Sequence, residues 1–381
     1  MNVEPLEGVL RPGALDRALL HVFVAGPGVG EGILVALPGG GWIAIDGCKV
    51  GDAAVLDALL DTWRGDEPLE LLVLTHPHED HAAGVPILLE RHSPREVMVT
   101  AGSPIGPNLV KHAEAYIKRL AASMTDDELK LRHAKAALIA ISAWAETHAS
   151  QLIDGADGVQ RAWRSTTLSV RAPHECAHLS AVLSEIAKGQ LAHSNEASLV
   201  LELVFGRARV VLGGDLPHRR TGAGVVDTGW ESVVSRHPHL AEHVALKIPH
   251  HGSAHARHDA LLERHADRVW LITPYNKQRQ PLPRVFDPDG LAAWLEHENA
   301  VHATSLSSDV SAPASSSALS LPIGSLARRT VGGGDPFASG ATELTPRQHR
   351  NVAAPVWGVA FDDAGAVRGL WRGDSAVRIT R

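Results

Sequence analysis

The stretch Thr75-His76-Pro77-His78-Glu79-Asp80-His81 concentrates four metal-capable side chains, His76, His78, Asp80 and His81, within six residues. Imidazoles two apart followed by Asp-His put nitrogen and carboxylate donors on one tight turn, a set that suits borderline divalent metals such as zinc. The apolar run from Leu69 to Leu74 directly before it reads as a buried strand. The cluster therefore stands at a strand's carboxyl end, where α/β proteins gather their active sites. A polar surface loop is the plain alternative in a chain with 23 histidines, and the donor spacing argues against it. His92, His133, His237, His239, His255, His258, His265 and His297 lack any such context and read as surface or core-edge residues.

Strands must carry these donors. Leu19 to Ala25 reads as a strand that ends in Gly26-Pro27-Gly28-Val29-Gly30-Glu31-Gly32. This turn lacks the Lys-Ser/Thr ending of a P-loop and the helix of a dinucleotide fingerprint, so it reads as a tight hairpin with glycines at positive φ. Ile33 to Leu37 and Gly41 to Asp46 continue as strands, the second ending on a carboxylate close to the metal loop. Asp52 is placed to cap a helix running through Trp63. A helix from about Ala82 to His92 and a strand from Glu96 to Ala101 follow, and the alternation of strand and helix makes this half α/β.

Residues 102–165 read as helix only. One helix runs from about Asn108 to Ala122, and Thr125 with Glu128 forms a capping box for a second, whose Leu129, Leu138, Ile141, Trp144 and His148 share one face. This insertion, about residues 105–165, reads as a lid or as a contact to a partner protein or a second copy. Strands resume at Thr167 to Ala172. The pair Leu199 to Phe205 and Arg209 to Leu212 ends in Gly213-Gly214-Asp215, and Val244 to Ile248 leads into Pro249-His250-His251-Gly252-Ser253. The expected division is a domain over 1–300, a Ser/Gly-rich linker or mobile loop over 301–345, and a C-terminal hairpin over 346–381 packed on the core, formed by Val356 to Phe361 and a strand around Val367 to Trp371.

Composition bounds the function. At 381 residues and 44% hydrophobic content the chain can bury a sizeable core. Cys48 and Cys176 are too few and too far apart for a disulfide framework or a thiolate zinc site. The acidic start, Met1 to Glu7, is unlike a signal peptide, and no run approaches the roughly 18 apolar residues of a spanning helix, so a soluble, cytoplasmic protein with no membrane partner is expected. A net charge of −7 argues against a broad electrostatic grip on nucleic acid.

His76-x-His78-x-Asp80-His81, then Gly214-Asp215, then Pro249-His250-His251-Gly252-Ser253, each after a strand, resemble the metallo-β-lactamase fold superfamily. Gly26-x-Gly28 before Asp46, Asn195-x-x-Ser198 before the hairpin, and the His-His-Gly-Ser ending look like the soluble relatives of the ComEC-type competence protein hydrolase domain. The resemblance covers about residues 19–275 and implies an α/β fold, a four-layer αββα sandwich, here with a helical insertion and a C-terminal extension. It implies two divalent metal ions, zinc or manganese, with His76 and His78 on the first, Asp80 and His81 on the second, and Asp215 bridging. The Pro-x-His-Gly turn selects His251 as a ligand over His250. His193 stands nearly where the remaining first-metal histidine is found, one residue out of register, with His174 as a second candidate.

Two divalent ions roughly 3.5–4 Å apart activate a shared water and clamp the attacking and leaving oxygens of a displacement. The expected enzyme is therefore a metal-dependent hydrolase, a phosphodiesterase or nuclease using a metal-bridged hydroxide. Asp80 would orient that hydroxide, and His250 would either serve the leaving group or hold His251. The substrate is nucleic acid or a small phosphodiester, short or single-stranded, with Arg161, Arg164, Lys247, Lys277, Arg279 and Arg284 as candidates to line a local groove. Two other readings stand beside it: a thioester or lactone hydrolase of the same fold, and a metal-stabilised, non-catalytic subunit of a larger complex.

Overall fold

The fold is that of a computed structural model, which describes residues 15–26, 28, 30–100, 129–174, 177–187, 190–218, 228–262, 268–275, 282–283, 294, 300–304, 356–372 and 377–380. The first part runs β1 (Leu20–Ala25), β2 (Gly32–Ala36), β3 (Trp42–Ile45), the short pair β4 (Lys49–Val50) and β5 (Ala53–Ala54), then α1 (Val55–Trp63) and β6 (Leu69–Leu74). After the metal loop come α2 (Glu79–Ala82), α3 (Val85–His92), β7 (Glu96–Val99), α4 (Leu129–Thr147) and β8 (Leu152–Asp154). The second part has β9 (Gln160–Trp163), β10 (Thr166–Ala172), α5 (Ala177–Ala187), β11 (Val200–Phe205), β12 (Ala208–Leu212), α6 (Gly229–Arg236), β13 (Ala245–Lys247), β14 (Val269–Ile272) and β15 (Ala300–Ala303). The chain ends in β16 (Val356–Phe361), β17 (Val367–Arg372) and β18 (Val377–Thr380).

These strands make two eight-stranded sheets, β17-β16-β1-β2-β3-β6-β7-β8 and β18-β15-β14-β13-β12-β11-β10-β9. β2, β3, β14 and β16 are apolar and buried along their whole length because both faces of each sheet are covered. Alternate residues divide between layers: Val22, Val24, Ile33, Val35, Leu71 and Val73 join Leu201, Leu203, Val210 and Leu271 between the sheets. Phe23, Leu34, Leu72 and Leu74 point the other way, against Leu56, Leu59 and Leu60 of α1, Val85 and Leu88 of α3, and Ala137 and Ile141 of α4. On the far side Val211, Leu246, Trp270 and Ile272 pack with Trp230 and Val233 of α6. Three apolar layers between and outside two sheets make the expected αββα sandwich.

Several local expectations change. Asp52 does not cap α1: the helix starts at Val55 from Ala54, without a side-chain cap, because β5 intervenes. The helix expected over 82–92 is two, broken at Gly84, where a Cβ would stand 2.9 Å from the Gly47 carbonyl oxygen. The first insertion helix and the Thr125/Glu128 capping box lie outside the described residues. The second insertion helix, α4, buries Ala134, Ala137, Leu138, Ile141 and Ala145 and belongs to the outer helical layer. Ala300–Ala303, at the expected start of the linker, is a paired strand; residues 305–355 lie outside the described residues. β16 of the expected C-terminal hairpin inserts beside β1, with Leu20 opposite Phe361 and Ala25 opposite Val356, and β18 closes the edge of the other sheet. Among the described residues no helix is long and apolar enough to cross a membrane.

Candidate metal centre

One edge of the sandwich gathers the carboxyl ends of β3, β6, β12, β13 and β14, which deliver Asp46, Thr75 to His81, Asp215, His250 with His251, and Thr273. Three of the five non-glycine residues with positive φ among the described residues, Asp46 (58°), His250 (46°) and His251 (53°), sit here. Each costs about 1 kcal/mol or more, strain that proteins typically concentrate at working sites.

Asp46 organises the loop. Its Oδ1 accepts from the Thr75 backbone N–H at 2.7 Å, and its Oδ2 accepts from Thr75 Oγ1 and from His81 Nδ1, each at 2.7 Å. With Nδ1 so committed, His81 presents Nε2 toward the centre. His251 is set the same way: Nδ1 donates to the Thr273 carbonyl at 2.8 Å, leaving Nε2 at 3.0 Å from Asp80 Oδ2 and 3.5 Å from Asp215 Oδ2. His76 contacts Thr75 Oγ1 (3.1 Å) and Ser198 Oγ (3.3 Å) through Nδ1. Ser198 Oγ also accepts from the Asp215 backbone N–H at 2.9 Å, so this buried hydroxyl ties a loop histidine to the aspartate. A hydrogen-bonded far nitrogen that fixes tautomer and aim is the usual support of a metal-binding histidine.

The near atoms are left open. His76 Nε2, His81 Nε2, Asp215 Oδ1 and His250 Nδ1 are buried without a hydrogen-bond partner. Such atoms are costly to bury with nothing to bind. Glu31, His81, Asp215 and His251 each offer a ligand atom within 4.8 Å of the others. A nitrogen and oxygen donor set of this kind fits a divalent cation. The local field agrees. Burial pushes the Asp80 and Asp215 carboxyls up, but the surrounding histidines outweigh it and hold both well below the usual carboxylate range. Burial lowers His81 and His251, but Asp215 and the other carboxylates outweigh it and raise both. His76 and His250 are lowered, burial being the main cause.

The structure thus brings His76, Asp80, His81, Asp215, His250 and His251 to one buried place. His78 is at its rim, its ring 5.9 Å from that of His76 and its Nδ1 in contact with Asp80 Oδ1. His193 is not brought there: its side chain is 43% exposed and its Nδ1 lies 3.1 Å from Glu196 Oε1. His174 lines a cleft with Arg171, His178, Glu196 and Thr228 that none of the other candidate ligands lines. Asn195 instead approaches the centre, with Nδ2 3.1 Å from His250 Nε2.

Sequence reasoning missed Glu31 and misplaced Lys247. Gly28 and Gly30 at φ near +90° fold the first hairpin onto the metal loop. The Glu31 N–H donates to the Asp80 carbonyl at 3.0 Å, and a Cβ on Gly30 would stand 2.4 Å from that same oxygen. Glu31 is thereby buried against Lys247, which is wholly inaccessible and cannot line a substrate groove. The only polar side chain in a glycine turn, and a lysine in the apolar strand Val244 to Ile248, were the available signals. Of the other groove candidates, Arg161 is held by Glu96 and Arg164 by the Gly39 carbonyl; Lys277, Arg279 and Arg284 lie outside the described residues. Tyr275, also unforeseen, places its ring 5.2 Å from that of His251.

A sequence model described as the metallo-beta-lactamase superfamily matches residues 33–226, just over half of the chain. The protein belongs to that superfamily, whose members are mostly metal-dependent hydrolases. The match includes the metal loop and Asp215 but stops short of His250 and His251. A solved structure described as a B3 metallo-beta-lactamase with an active-site glutamic acid is similar at 13% identity and a TM-score of 0.30, over 62% of this chain and 78% of that one. No curated protein sequence matches the chain.

Proposed function

We propose that this protein is a metal-dependent phosphodiesterase acting on short or single-stranded nucleic acid or on a small phosphodiester. The observation that carries it is the buried donor group with four unspent ligand and donor atoms, in a chain of this superfamily. The resemblance of the Gly-rich turn, Asn195-x-x-Ser198 and His-His-Gly-Ser to ComEC-type hydrolase domains supports phosphodiesters over other bonds. Asp80, His81 and His251 would hold one cation, His76 and His78 a second, and Asp215 both. Zinc suits the nitrogen-rich set. With neither His193 nor His174 at the centre the His76/His78 site has fewer nitrogens, which favours manganese there. Bound divalent ions supply an activated water and neutralise charge on phosphoryl oxygens.

The chain's own residues supply orientation and a hydrogen-bond donor. Asp46, Thr273 and Ser198 fix His81, His251 and Asp215 before substrate arrives. The Asn195 amide donates to His250 Nε2, so that ring carries its hydrogen on Nδ1, a buried donor without a partner. It is placed to serve a leaving-group oxygen. Among the described groove candidates Lys247 is inaccessible and Arg161 is paired, which with a net charge of −7 supports a small substrate over a long duplex.

The test is a panel of single-stranded DNA, RNA, cyclic dinucleotides and bis(p-nitrophenyl) phosphate, with zinc or manganese added. Cleavage is expected, falling by about a thousandfold or more in Asp80→Ala, of the order that a lost orienting or charge-stabilising group costs. Metal-loaded protein that leaves every phosphodiester intact but opens lactones or thioesters would overturn the proposal in favour of the second hydrolase reading.

A further inference from the structure

Behind the ligand atoms, Glu31 and Lys247 form a wholly buried ion pair, both side chains at most 1% exposed. Glu31 Oε2 also accepts from Thr273 Oγ1 at 2.8 Å. Lys247 Nζ reaches the Gly214 carbonyl at 3.4 Å and stands 3.9 Å from Asp215 Oδ1, an oxygen with no hydrogen-bond partner. The Glu31 carboxylate is also 3.9 Å from Nδ1 of both His81 and His251. One Glu31 oxygen lies within 4.8 Å of a ligand atom of each of His81, Asp215 and His251, yet its charge is directed into an ammonium.

We infer that Lys247 is a positioning residue that holds Glu31 out of the coordination of the cation at Asp80, His81 and His251, keeping a coordination position open there. The inference rests on the metal-centre reading and adds a residue that sets how many protein oxygens the cation meets. A free carboxylate within reach of a buried dication would ligate it, since hard cations take added carboxylate oxygens readily. Lys247 prevents this by spending that carboxylate's charge. The same ammonium, beside Asp215 Oδ1, offsets part of the negative charge of the site. Removing it leaves Glu31 buried and unpaired, a state strongly relieved by a cation.

Equilibrium metal binding and the Co2+ absorption spectrum test this without reference to turnover. Lys247→Met is expected to bind its tighter cation about tenfold more tightly than wild type, within the range by which groups around a metal site tune affinity. Its Co2+ band should weaken and shift as coordination number rises, and the Glu31→Met/Lys247→Met pair should return to the wild-type spectrum and affinity. Should Lys247→Met be unfolded without metal, folding on addition of zinc or manganese is the same expected result. Glu31→Gln alone provides the control for variants that fail to fold: its Co2+ spectrum should match wild type. A changed coordination number in Glu31→Gln would overturn the inference, because Glu31 would then already be a ligand. Unchanged or weaker binding in Lys247→Met would also overturn it. Wild-type protein that binds no divalent cation would instead overturn the metal-centre reading itself.

Discussion

Among the described residues two groups of carboxylates and histidines come close enough to hold a cation: Glu31, His81, Asp215 and His251 at the sheet edge, and Asp57, Asp61 and His92 on the outer helical layer. In the second, both Asp57 oxygens are taken, one by His92 Nε2 at 2.8 Å and the other by Arg91, which also binds Asp61 at 2.6 Å. One nitrogen, His92 Nδ1, is left over, and one nitrogen does not make a site. In the first, Asp46 and Thr273 hold the outward nitrogens of His81 and His251, while His81 Nε2 and Asp215 Oδ1 have no hydrogen-bond partner. The difference teaches that proximity of acids and histidines marks a metal centre only where the supporting atoms are satisfied and the facing atoms are not.

The sharpest way to break that comparison is to remove one carboxylate from each group. Asp215→Ala should weaken divalent-metal binding by more than about a hundredfold, exceeding what a lost supporting partner costs. Asp57→Ala should keep the wild-type metal content even though it loses stability. Metal analysis after gel filtration decides between them, and equal losses in the two variants would erase the distinction.

A third network shows what a closed cluster does. Glu202, buried in β11, receives Arg171 at 2.6 Å and Arg209 at 2.6 Å. Burial pushes its carboxyl up, but the hydrogen bonds from Arg171 and Arg209 outweigh burial and hold it below the ordinary glutamate range. A depressed folded-state pKa means that this stabilisation is fully present above the unfolded value, about 4.3, and is lost as pH falls through the folded one. Glu202→Gln should therefore be less stable by about 3 kcal/mol at neutral pH. The gap from wild type should begin to narrow as pH falls below the ordinary glutamate value, about 4.3, and close only below the depressed folded one. Urea unfolding across pH measures both, and a gap constant with pH would show that the charge contributes nothing.

What the sequence made legible follows from how local each feature is. His76 to His81, Asp215 and the His250-His251 turn are short motifs after apolar strands, so residue type and spacing suffice. The alternation of strand and helix made the α/β class legible, and the two-sheet sandwich followed from the family resemblance of these motifs. Glu31 and Lys247 were not: each is an oddity in its own segment, and only the packing of the first hairpin against β13 gives either a partner. The break at Gly84 had a local signal in Gly84 and in Pro86, which stands in the first turn of α3, and the close approach of the Gly47 backbone adds to it. The pairing of β16 with β1 joins the start of the described chain to its end, a register that no pattern within either strand encodes.

The smallest effect belongs to the surface half of the Asp57 group. Arg91 is 49% exposed, so its ion pairs with Asp57 and Asp61 work largely in water. Arg91→Ala should cost less than about 1 kcal/mol, the usual value of an exposed pair. His92 would still hold Asp57 from the buried side, at 2.8 Å. What the change opens is one oxygen of Asp57 beside Asp61, which gives the outer group the free facing atoms that separate the metal centre from it. If open acceptor atoms suffice to make a cation site, Arg91→Ala should bind one additional calcium or manganese ion, detectable by titration. If burial and supporting bonds on the far side of each ligand are also required, as the arrangement of Asp46 and Thr273 implies, it should bind none. The expected result is a stability loss of that small size with metal stoichiometry unchanged.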